Sequence, residues 1–304
     1  MPLTNYPNGV SSFGVPLMGG GVEIPATTGN YFFVDSGIGS DGYSGKSSSV
    51  VDRGDGPFAT IDYAIGKATA SNGDVIIVMP GHAESIAAAI TMDVIGLTII
   101  GLGVGATVPT ITFTDDLTIS ITAASSRLCN FRLVLGVATV AVGVTVGAAD
   151  VTVEKIETIQ HATSQFTCHI SVEAHERVKI LNNTLRTLIT DSSTQGLLLN
   201  GCDNIIVAGN IITGDFGTAA LSNETDEVLN ALIIGNIIHN VSAVGGELAL
   251  EMDADATGLL VENYIASGIA QEGGYDEGGM LNMETYTHDS AADSFAIPPG
   301  STVA

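Results

Sequence analysis

The chain has 304 residues, with 9 Lys and Arg against 33 Asp and Glu and a formal net charge of −24 at pH 7. Hydrophobic residues make up 45%, too many for a disordered chain despite the charge. The length admits one large domain or two ordinary ones around a sizeable core. The shortage of Lys and Arg argues against phosphate-led nucleic-acid binding and against anionic membrane surfaces.

The N-terminal stretch, residues 1–30, carries Pro2, Pro7, Pro16 and Pro25 and the run Gly19, Gly20, Gly21. It shows neither helical nor strand periodicity, and it has no basic region or continuous apolar run of the kind a signal peptide needs. Its scattered anchors, Tyr6, Phe13, Val15, Leu17 and Met18, suit an extended attachment arm. Residues 31–73 follow as a strand (YFFVDS), Gly/Ser/Asp turns and PFATIDYAIGKATA at 57–70. There Pro57 fits a first helical turn, and Phe58, Ile61, Ala64, Ile65 and Ala68 fall on one face, which predicts a short amphipathic helix.

From Asp74 to residue 268 the texture is short runs of Val, Ile, Thr and Leu broken by Gly, Asn and Asp, which reads as strands. Four segments repeat one form: VKILNNTL, IIVAGNII, ALIIGNII and GLLVENYI. Their Asn183, Asn210, Asn236 and Asn263 are spaced 27, 26 and 27 apart. Each Asn has an apolar residue three before it (Ile180, Val207, Ile233, Leu260) and two after it (Leu185, Ile212, Ile238, Ile265). Stepping back gives Ile156 and then Asn130 as earlier members. A period near 26 with room for three strands predicts an all-β solenoid, a right-handed parallel β-helix. About eight coils rising ~4.8 Å each would make a rod near 40 Å long, with the asparagines stacked as an amide ladder. Its open ends need covering; the 57–70 helix is the expected N-terminal cap, and 269–304 the expected C-terminal cap or extension.

The chemistry-bearing residues are few. Lys46 in GKS lacks the upstream Gly of a phosphate loop, since position 40 is Ser. Arg53-Gly54-Asp55 reads as a charged turn. His169 and His175 flank one strand, too far apart at about 20 Å to share a metal. Cys129, Cys168 and Cys202 form no CxxC pair and suit buried free thiols. In ELALEMDADA, read as one alternating strand, Glu247, Glu251, Asp253 and Asp255 would line one face about 6.8 Å apart. That row fits a solvated face, a cation site of the calcium type, or the carboxylate spacing of an inverting glycosidase. Weighing against catalysis are the absence of Trp and the fact that no Lys or Arg follows Arg186, whereas 17 Asp and Glu do. The structural expectation is therefore no catalytic residue and no required cofactor.

The segment 30–86, NYFFVDSGIGSDGYSG through GPFATIDYAIGKATASNGDVIIVMPGHAESI, resembles the opening module of phage-encoded pectate-lyase-like β-helix proteins. It carries Val34-Asp35-Ser36, then Gly39-Ser40-Asp41-Gly42, then Gly56 to Thr60, then Gly73 to Glu84, in that order. The start, LTNYPNGVSSFGVPL, is similar to N-terminal arms of tailed-phage virion proteins. The resemblance implies a virion structural protein. Its expected form is a head decoration (cement) protein on the outer surface of the capsid, homotrimeric and bound to the major capsid protein, made in the host cytoplasm. The alternatives it leaves open are a tailspike-like polysaccharide glycosidase or lyase and a tail or baseplate adhesin. No catalytic residue of the lyases aligns onto this chain.

Overall fold

The computed structural model describes residues 24–52, 54–159, 163–187, 193–223, 226–242, 247–268 and 275–287, together with the backbone of residues 288–289 and of the strands Ser11–Ser12, Val15–Pro16 and Phe295–Ala296. The chain winds as a parallel β-solenoid with three sheets along its length. The first sheet starts at Tyr31–Val34 and Val75–Val78, runs through Lys179–Leu181, Ile206–Ala208, Ala231–Ile234 and Gly258–Val261, and ends at Leu281–Met283. The second runs from Ala83–Ile86 to Tyr286–Asp289, where Phe295–Ala296 pairs with it antiparallel. The strands Arg127–Leu135 and Thr152–Ile159 contribute to both. Among the described residues the third sheet has eight strands, from Ile90–Met92 to Tyr275–Asp276. The parallel ladder therefore starts before residue 74 and continues past 268.

The coil period follows from the register. Thr152, Lys179, Ile206, Leu232 and Leu259 are successive partners, at steps of 27, 27, 26 and 27 residues. The central residue of each short first-sheet strand points inward: Ile180, Val207, Ile233 and Leu260 are fully buried. So are Leu185, Ile212 and Ile238 on the second sheet. Each such side chain contributes about 1.5–3 kcal/mol of transfer free energy, and stacking them coil on coil makes one continuous core.

The corner between the first and second sheets is one residue wide. It is occupied in turn by Asn130, Lys155, Asn182, Gly209, Gly235, Glu262 and Glu284, all with φ between 50° and 66°. A left-handed residue reverses the side-chain alternation there, so the next residue points into the core. That next position holds Phe131, Ile156, Asn183, Asn210, Asn236, Asn263 and Thr285, all buried. Asn130 is thus not a ladder member. It lies one residue early, at the corner, where its Nδ2 donates to the carbonyls of Gly101 (2.7 Å) and Gly103 (3.2 Å).

The helix is shorter than its periodicity suggests, spanning Ile61–Ile65. Phe58 is drawn instead into a parallel bridge with Val34, and Gly66 ends the turn by donating back to Ala64 and Asp62. Ile61, Ala64 and Ile65 pack into the first coil. Tyr6, Phe13, Leu17 and Met18 lie outside the described residues. Val15 is described by backbone alone, in a strand antiparallel to Ser11–Ser12.

Candidate functional site

The motif residues of segment 30–86 bond chiefly to one another. The Asp74 carboxylate accepts from the Asn30 backbone N–H (2.6 Å) and side chain (3.1 Å), the Thr69 N–H (2.7 Å) and Asn72 Nδ2 (2.6 Å). Burial pushes its pKa up, but those hydrogen bonds outweigh it and hold the pKa below the ordinary carboxylate value. His82 is buried, and its Nδ1 accepts from the Ser36 N–H at 3.0 Å. Its Nε2 therefore carries the proton given to Glu84 Oε2 at 3.1 Å. Glu84 in turn accepts from the Ile61 N–H (3.0 Å) at the helix start, and Asp41 accepts from the N–H groups of Ala59 (2.9 Å) and Thr60 (3.2 Å). These carboxylates satisfy helix-terminal donors that would otherwise be orphaned. Gly39 is required because a Cβ there would lie 2.2 Å from the carbonyl oxygens of Asp35 and Phe58.

The four acids of ELALEMDADA do not form a row. The strand is only Leu248–Glu251, and the chain then turns. Met252 is buried, while Asp253 and Asp255 sit in the turn, where Asp253 Oδ1 accepts from the Asp255 N–H at 3.0 Å. Asp253 is itself tied by its N–H to Asn223 Oδ1 at 2.7 Å. Glu247 accepts from the Ser242 hydroxyl and lies near Asp215, whose pKa is raised by burial and by that neighbouring carboxylate. The alternation that suggested one strand face is interrupted by this Asx turn. Among the described residues no group of three or more His, Cys, Asp and Glu is placed to hold a metal ion.

Acid and base do meet elsewhere. A groove of about 350 Å³ is lined by Asp150, Thr152, Arg177, Lys179, Asn204 and Ile206, on three successive coils where the third sheet hands over to the first. Arg177 binds Asp150 in a fork, at 2.6 and 2.9 Å, and also contacts Glu176 at 2.5 Å. Hydrogen bonding to Arg177 lowers the pKa of Asp150, and the two carboxylates raise that of the guanidinium. Similar rung-to-rung pairs join Arg127 to Glu154 and Arg132 to Glu157.

The interior holds polar groups of its own. Asn183 donates through Nδ2 to Asn210 Oδ1, Asn210 to Asn236 and Asn236 to Asn263, each at 2.9 Å. Each of the acceptor oxygens also takes the backbone N–H of the Asn one coil earlier. The second Nδ2 hydrogens reach Val153, Ile180, Val207 and Ile233 carbonyls. Ile156 N–H joins at one end and Thr285 Oγ1 at the other. His169, which sequence reasoning weighed only as half of a metal pair with His175, is fully buried between Thr158 Oγ1 (2.8 Å) and Ser193 Oγ (3.1 Å) and beside the rings of Phe166 and Phe216. Burial drives its pKa down to about 3. No helix among the described residues is long and apolar enough to cross a membrane.

No family model and no curated protein matches the chain. Among solved structures, a rhamnogalacturonan lyase is similar over 80% of this chain and 75% of its own, at 13% identity and a TM-score of 0.49. Tailspike protein 2 of the Escherichia coli O157:H7 bacteriophage CAB120 is similar over 74% of this chain and 35% of its own, at 12% identity and a TM-score of 0.40. Pectin methylesterase from Aspergillus niger is similar over 89% of both chains, at 16% identity and a TM-score of 0.40. None of these values assigns an activity to this chain.

Proposed function

We propose that the chain is a non-enzymatic structural protein of a tailed-phage virion, a decoration (cement) protein that binds the outer surface of the head and stiffens it. The observation that carries this reading is the use made of the phage-like module: Ser36, Asp41, Asp74, His82 and Glu84 are engaged in building the N-terminal unit. That unit, with its helix, serves as the N-terminal cap of a right-handed solenoid, the hand that strand twist favours for parallel crossovers. The amide ladder ties the coils from Asn183 to Asn263 in one register, as a rigid body requires. The arm at 1–30, through Tyr6, Phe13, Val15, Leu17 and Met18, attaches to the major capsid protein by strand addition and side-chain pockets. The carboxylates after Arg186 keep polyanions away from the solvent face.

A second reading, a tailspike-like glycosidase or lyase or a glycan-binding adhesin, is favoured by one feature, the groove that holds Asp150, Arg177 and Lys179 together. The test is to incubate the purified full chain with acidic and neutral bacterial surface polysaccharides and follow chain shortening. No shortening is expected. Depolymerisation abolished by Asp150→Asn or Lys179→Met would overturn the structural reading in favour of the second.

A further inference from the structure

An apolar sheet face must be buried against another part of the structure. The outer face of the first sheet meets that demand only at its N-terminal end, over the four rungs Tyr31–Val34, Val75–Val78, Thr98–Gly101 and Arg127–Leu135. There Phe33, Ile77, Ile100 and Cys129 are partners in one column. They alternate with Phe32, Ile76, Ile99 and Leu128 of the main core, so they point away from it, and with Val75 and Leu102 they form a cluster of their own. All six are at most 5% exposed. Further along, the same column opens: from Glu154 to Val261 it is half-buried, and at Met283 it is 49% exposed.

These side chains are buried within a single chain, so what seals them is part of it. Among the described residues the partly buried apolar side chains packed on the strip are Ile24, Tyr31 and Met79. Tyr31 and Met79 belong to the first two rungs. Tyr31 Oη donates to the Pro25 carbonyl (3.0 Å) and accepts from the Thr27 N–H (3.1 Å), and Thr27 Oγ1 donates to the Gly73 carbonyl (2.6 Å). Those bonds pin the chain beside the first two rungs and leave Ile24 on the strip, with residues 1–23 still to precede it.

We infer that residues 17–23 form a strap seated on this strip, covering the third and fourth rungs of the chain's own solenoid. Rungs lie ~4.8 Å apart and an extended residue advances ~3.3 Å, so three rung intervals take about five residues. Leu17, Met18 and Val22 supply apolar side chains, and Gly19, Gly20 and Gly21 let the backbone lie close to the sheet. Residues 1–22 hold no charged side chain in a chain of net charge −24, and a segment lying on an apolar face must avoid burying charge. The inference goes beyond the decoration reading and stands without it. Where both hold, attachment rests on Tyr6, Phe13 and Val15 ahead of the strap, and a pull on them is borne by four rungs and not by the first strand alone.

Cys129 reports the seal, because a thiol reacts only where reagent can reach it. Arg127 Nη2 lies 3.9 Å from its Sγ, so Arg127→Ala is made throughout to remove that neighbour. The full chain and a chain lacking residues 1–23, both carrying Arg127→Ala, are treated with a maleimide under native conditions and mapped by mass spectrometry. Cys129 should stay unlabelled in the full chain and react at least about tenfold faster in the shortened one, while the buried Cys168 and Cys202 stay protected as a check that the solenoid is intact. A benzoylphenylalanine replacing Met18 in the full chain keeps the question open if the shortened chain fails to fold: irradiation should join it to peptides holding Ile77, Ile100 or Cys129 of the same chain. Labelling of Cys129 in the full chain, protection that persists without residues 1–23, or cross-links that fall elsewhere or join only separate copies would overturn the inference. Binding to heads is measured apart from these, so the decoration reading can fail while the strap stands, and the strap can fail while heads are still bound.

Discussion

Replacing Asn210 by Ala removes one rung of the amide ladder, and its cost can be worked from the hydrogen bonds. Asn210 Oδ1 accepts from the N–H and the Nδ2 of Asn183, both at 2.9 Å, and its Nδ2 donates to Asn236 Oδ1 and the Ile180 carbonyl, both at 2.9 Å. After truncation Asn183 Nδ2 keeps the Val153 carbonyl, and Asn236 Oδ1 keeps the Asn210 backbone N–H. The Asn183 N–H and the Ile180 carbonyl lose the partners that Asn210 supplied, in a region sealed from water. A buried polar group left unmade costs about 1–3 kcal/mol, so the expected loss is about 2–6 kcal/mol. Guanidinium unfolding followed by circular dichroism and tyrosine emission measures it, since the chain has no Trp. Thr213→Ala, outward on the adjoining strand, should change stability by less than about 0.5 kcal/mol. The double variant Asn183→Ala/Asn210→Ala should cost less than the sum, because the amide–amide bond is counted twice. A loss below about 0.5 kcal/mol for Asn210→Ala, or full additivity, would refute the ladder's energetic role.

The pH dependence has a sign fixed by His169. Its folded pKa is depressed by burial to about 3 against 6.5 unfolded, so its contribution is intact above about pH 6.5 and is lost as pH falls towards 3. His169→Gln should flatten that part of the acid limb in a series of thermal melts; parallel curves would rule it out. At the left-handed corner, Glu262→Gly should be neutral or stabilising by up to about 1 kcal/mol, whereas Glu262→Val should be destabilising, because φ is 50° there and a β-branched residue resists it. Equal effects in denaturant titrations would count against the corner assignment. Burial raises the Cys129 thiol to about 12 and the Cys202 thiol to about 11, so neither should react with a maleimide until the chain unfolds. Labelling of either in the native protein, read by mass spectrometry, would contradict their burial.

The coil period was legible because Asn183, Asn210, Asn236 and Asn263 do one job at one place, and a buried amide tolerates few substitutes. Asn130 was misplaced by a single residue, since Asn also suits a left-handed corner and composition does not separate the two uses. A signal was present in the residue before three of the four ladder Asn: Asn182, Gly209 and Gly235 are types that favour φ > 0. The acidic row was misread because an Asx turn at Asp253–Asp255 imitates strand alternation. His169 carried no local sign, since Thr158 and Ser193 reach it from neighbouring strands. The near-continuous apolar runs such as ALIIGNII marked strands but not which residues turn outward, where Leu232 and Ile234 are half-buried and Ile237 is exposed.

The most direct test of the proposed role is a cryo-EM map of tailed-phage particles assembled in cells that express this chain. The expected result is rod-shaped density of β-solenoid cross-section on the outer surface of the head, joined to the major capsid protein by the segment 1–30. Density of this shape confined to the tail or baseplate would contradict the decoration reading, and its absence from the particle would contradict the virion assignment itself.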